Sequence, residues 1–389
     1  MSEDFNQKEN QEQQNFDNQA YSDFPHPHRP AEVKENDPGM KWVAFANVLG
    51  AIVIGLLLCS SLLMRAAERQ AKQENQGQET NAPDEPKKAS VSYRGYDYDL
   101  PVVAQNCDNV HGDVDVVLIT DANYMDFTRV AIESAKQNRC PLSKYNFYVM
   151  TMDVSAADEQ ALKVLADENV SVQVLPQQEA DLFYIRDTHV SKTSLLKYYI
   201  PNAVPNLDKV LYIDSDVLVL RDLNFIYQTN INDVYLAAVK DPSWFFENTH
   251  VVELNLNERG FYFNSGVMLM NLKKIREDGL IGELEDFTNN NFRTYMDQDA
   301  LNVVVGDKVK LLPYEANSMN FFFEHVDLPT LGEFYGRNWK NYDEAFGSSV
   351  IIHFASSKKP LGAPVSNDQF FRMLQRLWYK YYSPLPPLE

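Results

Sequence analysis

From Val114 onward, short apolar runs rich in Val, Ile and Leu alternate with longer segments of helical period, and this alternation constrains the fold more than any other feature of the chain. DVVLIT (115–120), YNFYVMTM (145–152) and VSVQVL (170–175) have the length and β-branched content of buried strands. VAIESAKQ, after Arg129, and AADEQALKVLADE (156–168) read as helices. Strands joined through helices run parallel, because each returning helix covers a face of the sheet. The expectation is an α/β domain with a mainly parallel central sheet. Ligands in such sheets gather beyond the carboxyl ends of the strands, near a switch in strand order.

The sequence before this domain has a different character. Residues 1–41 are rich in Gln, Asn, Glu, Asp and Pro and carry too little apolar surface to offset the entropy of ordering, so they read as a disordered tail. Residues 42–64, WVAFANVLGAIVIGLLLCSSLLM, contain no charge and are flanked by Lys41 and Arg65. At about 1.5 Å per residue such a helix crosses a hydrocarbon core of about 30 Å. A cleaved signal peptide has a shorter apolar region nearer the first residue, so one transmembrane helix is expected. Arg29, Lys34 and Lys41 on one side balance Arg65, Arg69 and Lys72 on the other, which leaves its orientation undecided. Residues 65–95 return to charged, Gln-rich sequence and read as a stalk, leaving 96–389 as the folded domain. A net charge of −20 excludes nucleic acid as a partner, since phosphate contacts need a basic face. Cys107 and Cys140 are the only cysteines outside the apolar run; a bridge and two free thiols fit the sequence equally.

The run KVLYIDSDVLVL (209–220) sets Asp214 and Asp216 inside apolar sequence that reads as one extended strand. Ionised carboxylates are costly to bury unless paired or metal-bound. At spacing i, i+2 on a strand they point to the same side and together can hold a hard cation against a diphosphate. Capping the following turn, or pairing with Arg221, is the alternative use.

Five ordered blocks go further: DVVLITDANY (115–124), SLLKYYIPNAVPNLDKVLYIDSDVLVLRDL (194–223), FYFNSGVMLMNLKKIRE (261–277), MDQDALNVV (296–304) and IIHFASSKKPL (351–361). With them, the chain from about residue 115 to 361 resembles glycosyltransferase family 8, the retaining UDP-sugar transferases that include lipopolysaccharide galactosyl- and glucosyltransferases and the glycogenins. The resemblance implies a GT-A-type single Rossmann-like domain, with 96–389 as the catalytic unit. It implies a hexose moved from a UDP-sugar to a glycan or glycolipid acceptor. By resemblance Asp121, Asn123 and Tyr124 bind the nucleoside, and a Tyr ring can indeed stack on a base. Lys197 and Ser215 complete the nucleotide set, with Lys197 standing where many members carry Arg and so lacking its bidentate fork. Asn264, Ser265 and Gly266 form the donor-sugar loop, Asp297 binds the sugar and Gln298 lies beneath the anomeric carbon. The metal set is Asp214, Asp216 and His353, suited to Mn²⁺ and tolerant of Mg²⁺. Without the resemblance, a lone His in an apolar strand reads as a core residue. The family pattern His-x-x-Gly-x-x-Lys-Pro-Trp is met by His353, Lys359 and Pro360, with Ser356 and Leu361 replacing the Gly and the Trp.

Lys359 can set its ammonium on the leaving phosphate as a catalytic electrophile. Because Gln298 is a poor nucleophile, front-side displacement is expected over a double displacement through Asp297. Competing uses of the same residues are a nucleotide-sugar-binding module without turnover and a UDP-sugar hydrolase. The location implied is single-pass on a membrane, with the catalytic domain on the side holding UDP-sugars: the bacterial cytoplasmic face, or the ER or Golgi lumen. QFFRMLQRLWYKYY (369–382) reads as a packed terminal helix, with contact to a membrane-borne acceptor as the alternative.

Overall fold

The computed structural model describes residues 100–178, 192–242, 248–256, 258–291, 295–356, 358–362 and 368–385. The expected tail (1–41), apolar span (42–64) and stalk (65–95) lie outside the described residues. The expectation of a single-pass membrane protein is corrected: among the described residues no helix is long and apolar enough to cross a membrane.

The strands run in chain order as β1 (His111–Asp121), β2 (Leu142–Met152), β3 (Val170–Pro176), β4 (Lys209–Ile213), β5 (Val217–Val219), β6 (Leu236–Lys240), β7 (Phe263–Asn271), β8 (Val309–Leu311), β9 (Ser318–Met319) and β10 (Ile351–His353). Seven of them form one sheet in the order β3-β2-β1-β4-β7-β6-β8. Every neighbouring pair is parallel except the two involving β7, which runs against β4 and β6. The chain lays β2 and then β3 on one side of β1 and returns to the other side as β4, so the strand order reverses between β1 and β4. That reversal opens a crevice at their carboxyl ends.

β1 shows why both faces must be covered. Its residues alternate sides: Val114, Val116 and Leu118 join one apolar cluster, Val117 and Ile119 the other. On the first face pack α1 (Met125–Asn138), through Val130 and Ala131, and the terminal helix, through Phe371 and Trp378. On the second pack α3 (Leu280–Asn290), through Leu284, and α4 (Met296–Val305), through Ala300 and Leu301. α2 (Ala156–Lys163), beside β3, starts at a capping box in which Ser155 and Asp158 exchange bonds. The terminal helix, α5 (Gln369–Tyr382), buries Phe370, Phe371, Met373, Leu374, Trp378 and Tyr381, which realises the packed reading of this segment.

Two features differ from the sequence reading. Residues 209–220 are not one strand: β4 belongs to the large sheet, while β5 pairs with β10 in a second, three-stranded sheet of order β5-β10-β9. Asp214, Ser215 and Asp216 form the corner between them, so the two carboxylates are brought together by a bend rather than by strand alternation. The cysteine question resolves as a bridge: Cys107 and Cys140 are disulfide-bonded with Cα atoms 5.4 Å apart. The bridge fastens the segment before β1 to the end of α1. Alongside it, Arg221 donates to Val103 O (2.8 Å) and Asp222 N to Gln105 Oε1 (2.8 Å). Arg221 is thereby engaged away from the acidic pair.

Candidate active site

The site assembles where β1 and β4 end. Asp214 N–H donates to Gly266 O of β7 (2.7 Å), carrying the ladder one residue past β4. Ser215 turns its hydroxyl inward, donating to Ile119 O (2.7 Å) and accepting from Thr128 (2.8 Å), which ties the corner to β1 and α1. Asp216 O then accepts from Phe354 N (3.0 Å), just past β10. Since β10 pairs with β5 in the register His353↔Val217, the imidazole arrives beside the corner. Its Nε2 lies 3.3 Å from Asp216 Oδ1 and 3.7 Å from Asp214 Oδ2. One ligand atom from each of Asp214, Asp216 and His353 falls within 4.8 Å of the others, a separation a single divalent ion can bridge. Bringing these three side chains together was the central spatial expectation from the sequence.

The residues around this cluster fit a cation. A Cβ added at Gly266 meets His353 Cε1 at 2.2 Å and Asp214 Oδ2 at 2.7 Å, so the glycine is what lets imidazole and carboxylate converge over β7. Two carboxylates and an imidazole offer mixed O/N ligation suited to Mn²⁺ or Mg²⁺. Tyr212 donates its hydroxyl to Asp214 Oδ1 and stays protonated, because burial first and Asp214 second push its pKa well up. Lys359 donates to Asp216 Oδ2 and to Phe354 O (2.7 Å). Burial opposes the ionisation of Asp216, but His353 and Lys359 outweigh it and hold the carboxyl well below the usual range.

Toward α4 the same crevice continues as a polar wall. Lys197, buried, sits 2.8 Å from Asp297 Oδ2 and 3.3 Å from Asp214 Oδ1. Burial works against its ammonium, yet the two carboxylates prevail and raise its pKa above the ordinary lysine value. Asp297 also accepts from Ser265 Oγ (3.0 Å). Gln298 Oε1 accepts from Ser265 N (3.0 Å) and Asn264 Nδ2 (3.1 Å), and its Nε2 donates to Asp241 Oδ2 (3.2 Å). Asn264 spends its remaining oxygen on Gly266 N (3.0 Å) and Asn317 Nδ2 (2.9 Å). Asn264 therefore braces β7, α4 and the metal side from within the expected donor-sugar loop.

At the end of β1, Asp121 caps the turn at residues 122–124 by accepting from Asn123 N (2.9 Å) and Tyr124 N (3.2 Å). Capping leaves Tyr124 37% exposed, enough ring for a ligand to cover. Burial of its remainder raises its pKa, and Asp216, Asp121 and Asp214 add to that while Lys359 opposes, which puts the ring in electrostatic reach of the acidic corner. Ser356 accepts from Lys358 N (3.2 Å) and donates to Lys358 O (3.2 Å), closing its own turn, and Leu361 packs on the main core. The two departures from the family pattern thus keep local structure around Lys359. Sequence reasoning missed Tyr212, Asp241 and Asn317. Asp241 follows an apolar strand run as Asp214 does, which was a usable signal; Tyr212 and Asn317 carried none.

This fold and site define a GT-A-like α/β enzyme with a candidate divalent-metal centre at its switch point. The family model described as Glycosyl transferase family 8 matches residues 115–361, and the chain belongs to that family. Among curated relatives it is 27% identical over 210 residues to General stress protein A of Bacillus subtilis, covering 51% of this chain and 71% of that one. It is 28% identical over 247 residues to the lipopolysaccharide 1,2-glucosyltransferase of Escherichia coli, covering 62% of this chain and 70% of that one. Across three such relatives the chain spans 71%, 63% and 61% of their own lengths. Among solved structures it resembles the galactosyltransferase LgtC in complex with donor and acceptor sugar analogues, with TM-score 0.57 and 22% identity, covering 71% of this chain and 98% of that one. That likeness supports the fold.

Proposed function

We propose that the chain, with residues 96–389 as its catalytic domain, is a retaining transferase that moves a hexose from a UDP-sugar to a hydroxyl of a glycan or lipid-linked glycan. The observation that carries this reading is the convergence of Asp214, Asp216 and His353 at the β1/β4 switch point of a family 8 chain. Those three residues would hold Mn²⁺, with Mg²⁺ as a substitute, and the bound ion would neutralise charge on the diphosphate.

The remaining work falls to the protein. The Tyr124 ring stacks on uracil, and the Asp121 turn holds it in place. Lys359, already beside Asp216, places its ammonium where the leaving diphosphate gathers negative charge, which lowers the barrier to breaking the anomeric C–O bond. Asp297 is occupied by Lys197 and Ser265, and an ion-paired carboxylate is a weak nucleophile, which supports front-side displacement. In that step the acceptor oxygen bonds the anomeric carbon as the diphosphate leaves. The acceptor proton passes to a departing phosphate oxygen. Gln298, with its amide orientation fixed by Ser265 N and Asp241, presents a preorganised dipole to the sugar and no charge. Ser215 acts through the corner that its inward hydroxyl pins rather than through a hydroxyl contact to the nucleotide.

UDP release measured with and without a glycan acceptor tests the assignment. Release that depends on acceptor and Mn²⁺, with the product anomer matching the donor by NMR, is expected; equal release without acceptor would instead make the protein a hydrolase.

A further inference from the structure

We infer that Asn317 is a positioning residue that locks the His353 imidazole in the tautomer able to ligate metal through Nε2; this rests on the metal role proposed for Asp214, Asp216 and His353. Asn317 is fully buried, immediately before β9, and β9 pairs with β10 in the register His353↔Met319. Its Oδ1/Nδ2 amide stands between two partners, Asn264 Oδ1 at 2.9 Å and His353 Nδ1 at 3.1 Å.

Which end faces which is decided by backbone groups, whose N–H can only donate. Gly266 N points at one side-chain atom of Asn264 (3.0 Å), so that atom is the oxygen. The other must then be the amide nitrogen, and it does meet two acceptors: Asp241 Oδ2 (3.0 Å) and Gln298 Oε1 (3.1 Å), the latter identified as oxygen by Ser265 N (3.0 Å). Facing an Asn264 oxygen, Asn317 presents its nitrogen there and turns its oxygen to His353 Nδ1. An amide oxygen only accepts, so Nδ1 carries the proton. In the neutral ring this leaves the lone pair on Nε2, 3.3 Å from Asp216 Oδ1, where only a cation, either a second ring proton or a metal ion, can lie between the two acceptors. The tautomer of a metal-binding His is set by the hydrogen bond at its other nitrogen. Here that bond traces back, through Asn317 and Asn264, to the backbone of β7.

Mn²⁺ titration of the full chain, read by electron paramagnetic resonance of free Mn²⁺, tests this. Asn317→Ala is expected to weaken Mn²⁺ binding about 10- to 100-fold. Asn317→Asp keeps an acceptor toward Nδ1 while losing the bond to Asn264, and is expected to stay within roughly threefold of wild type. Equal weakening by both variants, or wild-type affinity in Asn317→Ala, overturns the inference. Should Asn317→Ala fail to fold, ¹⁵N NMR of the wild-type imidazole, assigned by difference from His353→Gln, decides: a proton on Nδ1 supports the lock, and a proton on Nε2 alone refutes it. Asp216→Asn separates the two levels of reading. Loss of Mn²⁺ there with retention in Asn317→Ala sinks this inference alone, whereas a wild-type protein that binds no Mn²⁺ sinks the metal reading with it.

Discussion

Gly266 shows how one missing side chain can govern a site. Its carbonyl is tied to Asp214 N (2.7 Å), so the backbone cannot step aside, and a Cβ there lands 2.2 Å from the imidazole of His353. Gly266→Ala should displace His353 and weaken Mn²⁺ binding by about 10- to 100-fold, at an overpacking cost of about 1–3 kcal/mol in stability. Paired Mn²⁺ titration and thermal melting would check it; a site of native affinity would show that the ring has another way to sit. Tyr124 is the opposite case, a partly exposed ring whose value lies in what covers it. Tyr124→Ala should cost about 1–3 kcal/mol of UDP affinity by calorimetry if the base stacks there, and an unchanged dissociation constant removes it from the site. The Asp-x-Asp pair was legible in the chain because ordered blocks surrounded it; Gly266 was singled out too, but as part of a donor-sugar loop and not as the clearance beneath His353. Asn317 and Tyr212 were not. Their roles come from partners on other elements, and nothing in their own neighbourhoods marks an amide or a phenol as a brace.

At the scale of elements, local periodicity carried the reading well where burial is one-dimensional. β1, β2, β3 and α1 lie where apolar runs and helical spacing put them. The expected second helix stops at Lys163 because Val164 C-caps it and the chain turns into β3. The corner at residues 214–216 was illegible for a definite reason: both flanking runs are fully buried, so both look like one strand, yet one pairs with β1 and β7 and the other with β10. Those partners are distant in sequence. α5 offers the element-scale test. Trp378 is fully buried against α1, with its ring 5.5 Å from Phe127. Trp378→Ala should destabilise the fold by about 3–5 kcal/mol, measured by denaturant unfolding. A loss under about 1 kcal/mol would mean that the helix adds little to the core.

For the molecule as a whole, the disulfide is the feature that composition could not decide, since pairing needs a Cα separation that only the fold supplies, here 5.4 Å. It encloses α1 between its half-cystines, so breaking it frees a stretch of the unfolded chain. Cys107→Ser should lower stability by about 2–4 kcal/mol, with a matching loss when wild type is reduced. Identical melting in oxidised and reduced protein would contradict the bridge. The fold class was legible because an alternating α/β pattern admits few arrangements; the reversal of β7 was not, since its apolar run reads the same in either direction.

That reversal decides which loops the enzyme can vary. Parallel strands reach the crevice with their last residues, so their lead-in loops lie at the far edge of the sheet and can change length there without reshaping the pocket. β7 enters from the crevice side and meets it with its first residues, Asn264, Ser265 and Gly266. Insertions just ahead of Phe263 are therefore edits to the binding surface, and this stretch is where relatives sharing the scaffold could diverge in what they accept.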